Sequence, residues 1–233
     1  MYVEKFASIP KSDIESYQAP TCFELAGKEL TFRIAGGTPV SLSFAAFPYK
    51  EVYIDGAASG IAYECAKIGE HVVFLTYSLP EVFVTYVIDI EKELVTRIVT
   101  DGAFKSIVSF GSVSNSSTLH AFSDDQAGNK VRWILGKQDE SAFLAEYKAG
   151  GADVTRPYAT SAPAVKVTDY KAVKITDEIY LSIAVVDAGG KKANLIMASN
   201  FWNITCIGSL YSLTPTHGAS CKLFAGYGRF MTE

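Results

Sequence analysis

The chain has 233 residues, 48% of them hydrophobic and only 20% charged, with a formal net charge of −4. This composition excludes a disordered chain, which is poor in apolar residues and rich in charge, and the length can bury a sizeable core. The acidic balance argues against a nucleic-acid partner, because neutralising phosphates needs a basic surface.

No apolar run approaches the roughly 20 residues of a membrane-spanning helix. Met1–Pro20 lacks the apolar stretch of a secretory signal. No membrane partner and a cytoplasmic location are therefore expected. Cys22, Cys65, Cys206 and Cys221 match no zinc or redox spacing and are expected as reduced thiols.

Residues 1–20 read as a lead-in with one short helical stretch at Ser12–Tyr17. Strands follow. Cys22–Ile34 is broken by the turn Ala26-Gly27, and Leu30, Phe32 and Ile34 alternate after it. Val40–Phe44, Glu51–Asp55, Ile61–Ile68, His71–Tyr77, Val82–Ile90 and Glu93–Thr100 continue the series. Gly36-Gly37, Asp55-Gly56, Gly69, Leu79-Pro80 and Asp101-Gly102 punctuate them. Strands joined by such short turns form an antiparallel meander, and closing a meander into a barrel removes its edges.

The Ser- and Asn-rich stretch Ser112–Ser117 reads as a linker. Strands resume at Val131–Leu135, Phe143–Lys148, Lys171–Ile175, Ile179–Val186, Asn194–Ser199 and Asn203–Ser209, with Lys222–Phe230 as a last strand. The second half repeats the first. Ala26-Gly27-Lys28 and the strand after it align with Ala127-Gly128-Asn129, and Tyr63–Ile68 aligns with Tyr170–Ile175. Glu70–Phe74 aligns with Asp177–Leu181, and Val95–Ile98 with Ile204–Ile207. Several matches in order indicate a duplicated unit of about 100 residues. The division is 1–20 lead-in, 21–113 first unit and 118–233 second unit. Two small barrels or one larger shared barrel both satisfy this pattern.

The segments Phe23–Lys28, Tyr63–Ile68, Val72–Tyr77 and Val95–Ile98 resemble the N-terminal domain of MoaF-like proteins, and Ala127–Trp133 with Tyr170–Leu181 is similar to that family's C-terminal domain. Ser141–Val167 departs from the pattern. The resemblance implies an all-β fold of lipocalin-like (calycin) antiparallel barrels, two related units from an internal duplication. It implies little chemistry.

Chemistry is sought in charges on apolar strand faces. Ala62, Glu64, Ala66 and Ile68 share a face, and Glu64 is read as inward, where burial would tune it for proton transfer. Arg97 shares a face with Val95 and Val99 and needs a partner, for which Glu64 is the candidate. Such a pair either anchors a substrate carbonyl or closes the barrel as a structural salt bridge. Tyr86 is added as a catalytic proton donor. Tyr53, Phe74, Thr76, Tyr77 and His71 are the candidate substrate-binding residues. Equivalent positions in the second half carry Lys171 for Glu64 and Cys206 for Arg97, which places one site in the first unit.

No metal, nucleotide or flavin signature is present, so no cofactor is expected. The expected partner is a small hydrophobic organic substrate, and a homodimer stands open. Two functions follow from a barrel cavity. One is a cofactor-independent isomerase, cyclase, dehydratase or decarboxylase acting by acid/base chemistry in secondary metabolism. The other is a non-catalytic lipocalin-like binding protein. A duplicated structural protein with filled barrels is a third reading.

Overall fold

A computed structural model describes residues 22–114, 116–135, 142–156, 164–214 and 218–231. The helical stretch expected at Ser12–Tyr17 lies outside them. Among the described residues there is no helix. The chain divides into two compact units, and the boundary falls within the two-residue strand Ala121–Phe122, which pairs into the second unit's sheet.

The first unit holds β1 (Glu29–Ile34), β2 (Val40–Phe44), β3 (Glu51–Ile54), β4 (Ile61–Ile68), β5 (Val72–Ser78), β6 (Val82–Asp89), β7 (Leu94–Asp101) and β8 (Ser106–Ser112). Each strand pairs antiparallel with the next, and β1 pairs with β8, so the eight strands close into a barrel. Alternation sorts the wall into two faces. Phe32, Leu42, Phe44, Val52, Tyr63, Cys65, Val73, Leu75, Tyr77, Val84, Tyr86, Ile88 and Val95 form one buried cluster contributed from around the barrel. That cluster is its interior.

The second unit holds β9 (Ala121–Phe122), β10 (Lys130–Leu135), β11 (Ala142–Lys148), β12 (Gly151–Thr155), β13 (Val165–Lys174), β14 (Ile179–Ala188), β15 (Lys191–Asn200), β16 (Thr205–Thr214) and β17 (Gly218–Phe230). They make one nine-stranded sheet in the order β12-β11-β10-β17-β16-β15-β14-β13-β9. The sheet curls until β12 returns within 8 Å of β13 between Cα atoms. The two are not neighbours in the sheet, so this seam is open among the described residues. Val131, Trp133, Ala145, Tyr147, Met197, Ile204 and Cys206 form its core.

The units are structural repeats. Phe44 N donates to Lys28 O and Tyr147 N to Asn129 O, both at 2.9 Å. Cys22 N donates to Cys65 O at 3.4 Å, and Ser123 N donates to Ala172 O at 3.0 Å. Gly27 and Gly128 take the same turn with φ of 72° and 90°, a region in which a side chain is strained.

One alignment shifts. Lys92 N donates to Asp89 Oδ1, and Asn203 N donates to Asn200 Oδ1, so these hairpin turns coincide. Glu93 and Ile204 have matching φ of 55° and 53°. Arg97, facing Tyr86, therefore corresponds to Gly208, facing Met197, and not to Cys206. The sequence match missed two residues because Val-Thr-Arg-Ile and Ile-Thr-Cys-Ile share β-branched alternation.

Candidate functional site

The interior of the first barrel carries few polar groups. Cys65, Leu75, Tyr86, Arg97 and Ser109 form one rung across β4 to β8. The neighbouring rung is Tyr63, Tyr77, Val84, Val99 and Ile107. Ile107 shares the inward face yet is 60% exposed, so the wall ends in solvent there. Arg97 sits one rung inside this opening and keeps part of its surface accessible.

Arg97 forms no ion pair among the described residues, and its Nε is buried without a hydrogen-bond partner. Tyr86 stacks on Phe32 with centroids 5.6 Å apart, and its hydroxyl lies 3.5 Å from that of Tyr77. Burial above all, then the Tyr86 neighbour, pushes the Tyr77 phenol well above its ordinary range, while the Arg97 charge pulls it back. Tyr77 is thus held protonated as a donor. Tyr63 is 3% exposed with its hydroxyl unpartnered, and its ring meets Phe44 edge-on at 5.4 Å. A buried polar group left in this state costs about 1–3 kcal/mol. An arginine Nε and a phenol are therefore both left without a partner inside the same barrel.

Of the candidate residues, Arg97, Tyr77 and Tyr86 come together. The others do not. Glu64 is exposed on the outer face, opposite Thr76, so it neither pairs with Arg97 nor meets the lumen. The correction has a physical cause. Both faces of β4 bury residues, Tyr63 and Cys65 inside, Ala66 and Ile68 outside, so alternation alone left the direction open. Phe74 and Thr76 are buried but alternate with the inward Val73, Leu75 and Tyr77, and Thr76 Oγ1 donates to Val84 O at 3.2 Å. Tyr53 alternates with inward Val52 and donates to Glu51 Oε2 at 3.2 Å, a bond that pushes its phenol up. His71 precedes β5 in the turn, 48% exposed beside Glu70.

Tyr63 and Ser109 are the lumen residues that sequence reasoning passed over. The signal for Tyr63 was its repeat partner Tyr170, a second tyrosine at the same inward position. Cys65, on the Arg97 rung, and Cys22 form a hydrogen-bonded thiol pair, which lowers Cys22 to about 7 and drives Cys65 upward. Burial pushes the Cys206 thiol up.

Among its described residues the second unit lacks this site. At the Arg97 and Ser109 positions it carries Gly208 and Phe224. A Cβ on Gly208 would fall 2.4 Å from Phe224 Cζ, so that ring occupies the space of the Arg97 side chain. Among the described residues no three His, Cys, Asp or Glu side chains gather to hold a metal. Among the described residues no helix is long and apolar enough to cross a membrane. No known family model and no curated protein matches the chain.

Proposed function

We propose that the first barrel is a binding site for a small organic acid, whose apolar body packs against the lumen aromatics while its carboxylate meets Arg97. The observation that carries this reading is the inward guanidinium with a buried, unpartnered Nε. A planar fork of donors suits a carboxylate or carbonyl oxygen. Tyr77, Tyr86 and Tyr63 add hydroxyl groups nearby. This is the non-catalytic, lipocalin-like reading, and it includes kinship with the MoaF-like proteins.

The acid/base enzyme reading needs a proton acceptor in the lumen. Glu64 is exposed outside it, and burial holds Tyr77 protonated. Geometry therefore favours binding over turnover.

The test is fluorescence titration with 8-anilinonaphthalene-1-sulfonate, an apolar anion, with trans-cinnamate as competitor. Loss of a charged hydrogen bond predicts that Arg97→Ala weakens cinnamate about 10- to 100-fold. Glu64→Gln should bind as wild type does. Equal affinity in Arg97→Ala would refute the assignment. A proton-transfer activity abolished by Glu64→Gln would restore the enzyme reading.

A further inference from the structure

The second unit carries a cleft of about 420 Å3 lined by Phe122, Ser123, Asp124, Gly150, Tyr170, Lys171 and Ala172. It lies where β9 and the β11–β12 turn flank β13, and Asp124 Oδ1 ties β9's end to Gly150 N at 3.0 Å. In the first unit the matching strap, Cys22-Phe23, is covered. Phe47 from the β2–β3 loop meets Phe23 edge-on at 5.0 Å, and Lys50 Nζ lies 5.4 Å over the same ring. The β11–β12 turn offers Gly150 instead of a phenylalanine. The space stays open.

Beneath it is a neutral polar triad with no counterpart in the first barrel. Gln126 is 1% exposed, and its amide nitrogen reaches Tyr170 Oη and, at 3.3 Å, Ser182 Oγ. Tyr170 Oη and Ser182 Oγ lie 3.2 Å apart. The first barrel has Leu25 and Leu75 at the Gln126 and Ser182 positions, both 1% exposed or less. Gln126 Oε1 has no partner. Turning the amide over does not mend this. The oxygen would then accept from the two hydroxyls, and the NH2 donors would be left unpaired. In either orientation the amide keeps one buried end unpaired, and Tyr170 connects that triad to the cleft wall.

We propose that this cleft is a second binding site, independent of Arg97, for a small neutral aromatic molecule bearing an amide or phenol. The volume falls within the roughly 300–1,000 Å3 of small-molecule sites. The triad is uncharged, because burial holds the Tyr170 phenol up at about 12. Tyr170, the triad member in the cleft wall, carries a hydroxyl that both donates and accepts, and a neutral amide or phenol can meet it in either role.

The test uses benzamide as probe, with the full chain, in ligand-observed NMR titrations. Wild type should bind it saturably. Gln126→Leu, which installs the first barrel's residue, and Tyr170→Phe should each weaken binding about tenfold. Arg97→Ala should leave it unchanged, so failure here is separate from failure of the first-barrel assignment. Thermal melts check folding, and Tyr170→Phe carries the test if Gln126→Leu unfolds. Absence of saturable binding to wild type overturns the proposal. So does undiminished binding in the folded variants, or loss in Arg97→Ala.

Discussion

His120 shows how one side chain sets a stability window. It is 5% exposed, with Nδ1 2.9 Å from Thr96 Oγ1 and Nε2 unpartnered. Burial lowers it from 6.5 to about 4, against a raising influence of Asp89 and with a lowering one of Lys92. The unfolded chain therefore takes up a proton here before the folded one does, as pH falls. The stability that a neutral His120 contributes is complete above pH 6.5 and is lost progressively down to about 4. The loss amounts to about 3 kcal/mol. Urea unfolding of wild type and His120→Asn should diverge by that amount between pH 7 and pH 4. Parallel pH profiles would show that the imidazole titrates normally. Nothing in the local sequence marks His120 as buried, because its burial comes from tertiary packing around Thr96. Arg97 was legible, since one charge on an otherwise apolar strand face has few places to go.

Strands were easier to read than their faces. Val40–Phe44 and Ile61–Ile68 match β2 and β4 end to end, because alternation and flanking turns both mark them. β8 went unread, with only its last residue, Ser112, falling in the expected linker, since Ser106, Ser109, Gly111 and Ser112 carry little strand propensity. Its pairing with β1 and β7, not its own residues, makes it a strand. β12, starting at Gly151, went unread for the same reason. Close packing between strands yields an element-scale prediction. Gly208 lets β16 approach β15 and β17, and an added Cβ would sit 2.5 Å from Ile196 O as well as against Phe224. Backbone oxygen cannot yield without disturbing the ladder. Gly208→Ala should cost about 1–3 kcal/mol in urea unfolding. An unchanged midpoint would mean that Phe224 does not fill that space.

At the scale of the whole molecule, duplication has produced two interiors from one plan. The first keeps Arg97 with Ser109, and the second keeps Gly208 with Phe224. The plan tolerates either pair. The double variant Arg97→Gly, Ser109→Phe should therefore fold, by circular dichroism and melting, while losing cinnamate binding in the first barrel. Retained binding would place the anion elsewhere. The sequence by itself determined the all-β class, the repeat and most strand positions, because periodicity, turn residues and self-similarity are local properties of a chain. Tertiary structure alone decided which face of β4 looks inward, which barrel closes and where Arg97's counterpart lies. Those depend on register between strands far apart in sequence, and a strand with apolar residues on both faces leaves that register open until its neighbours are in place.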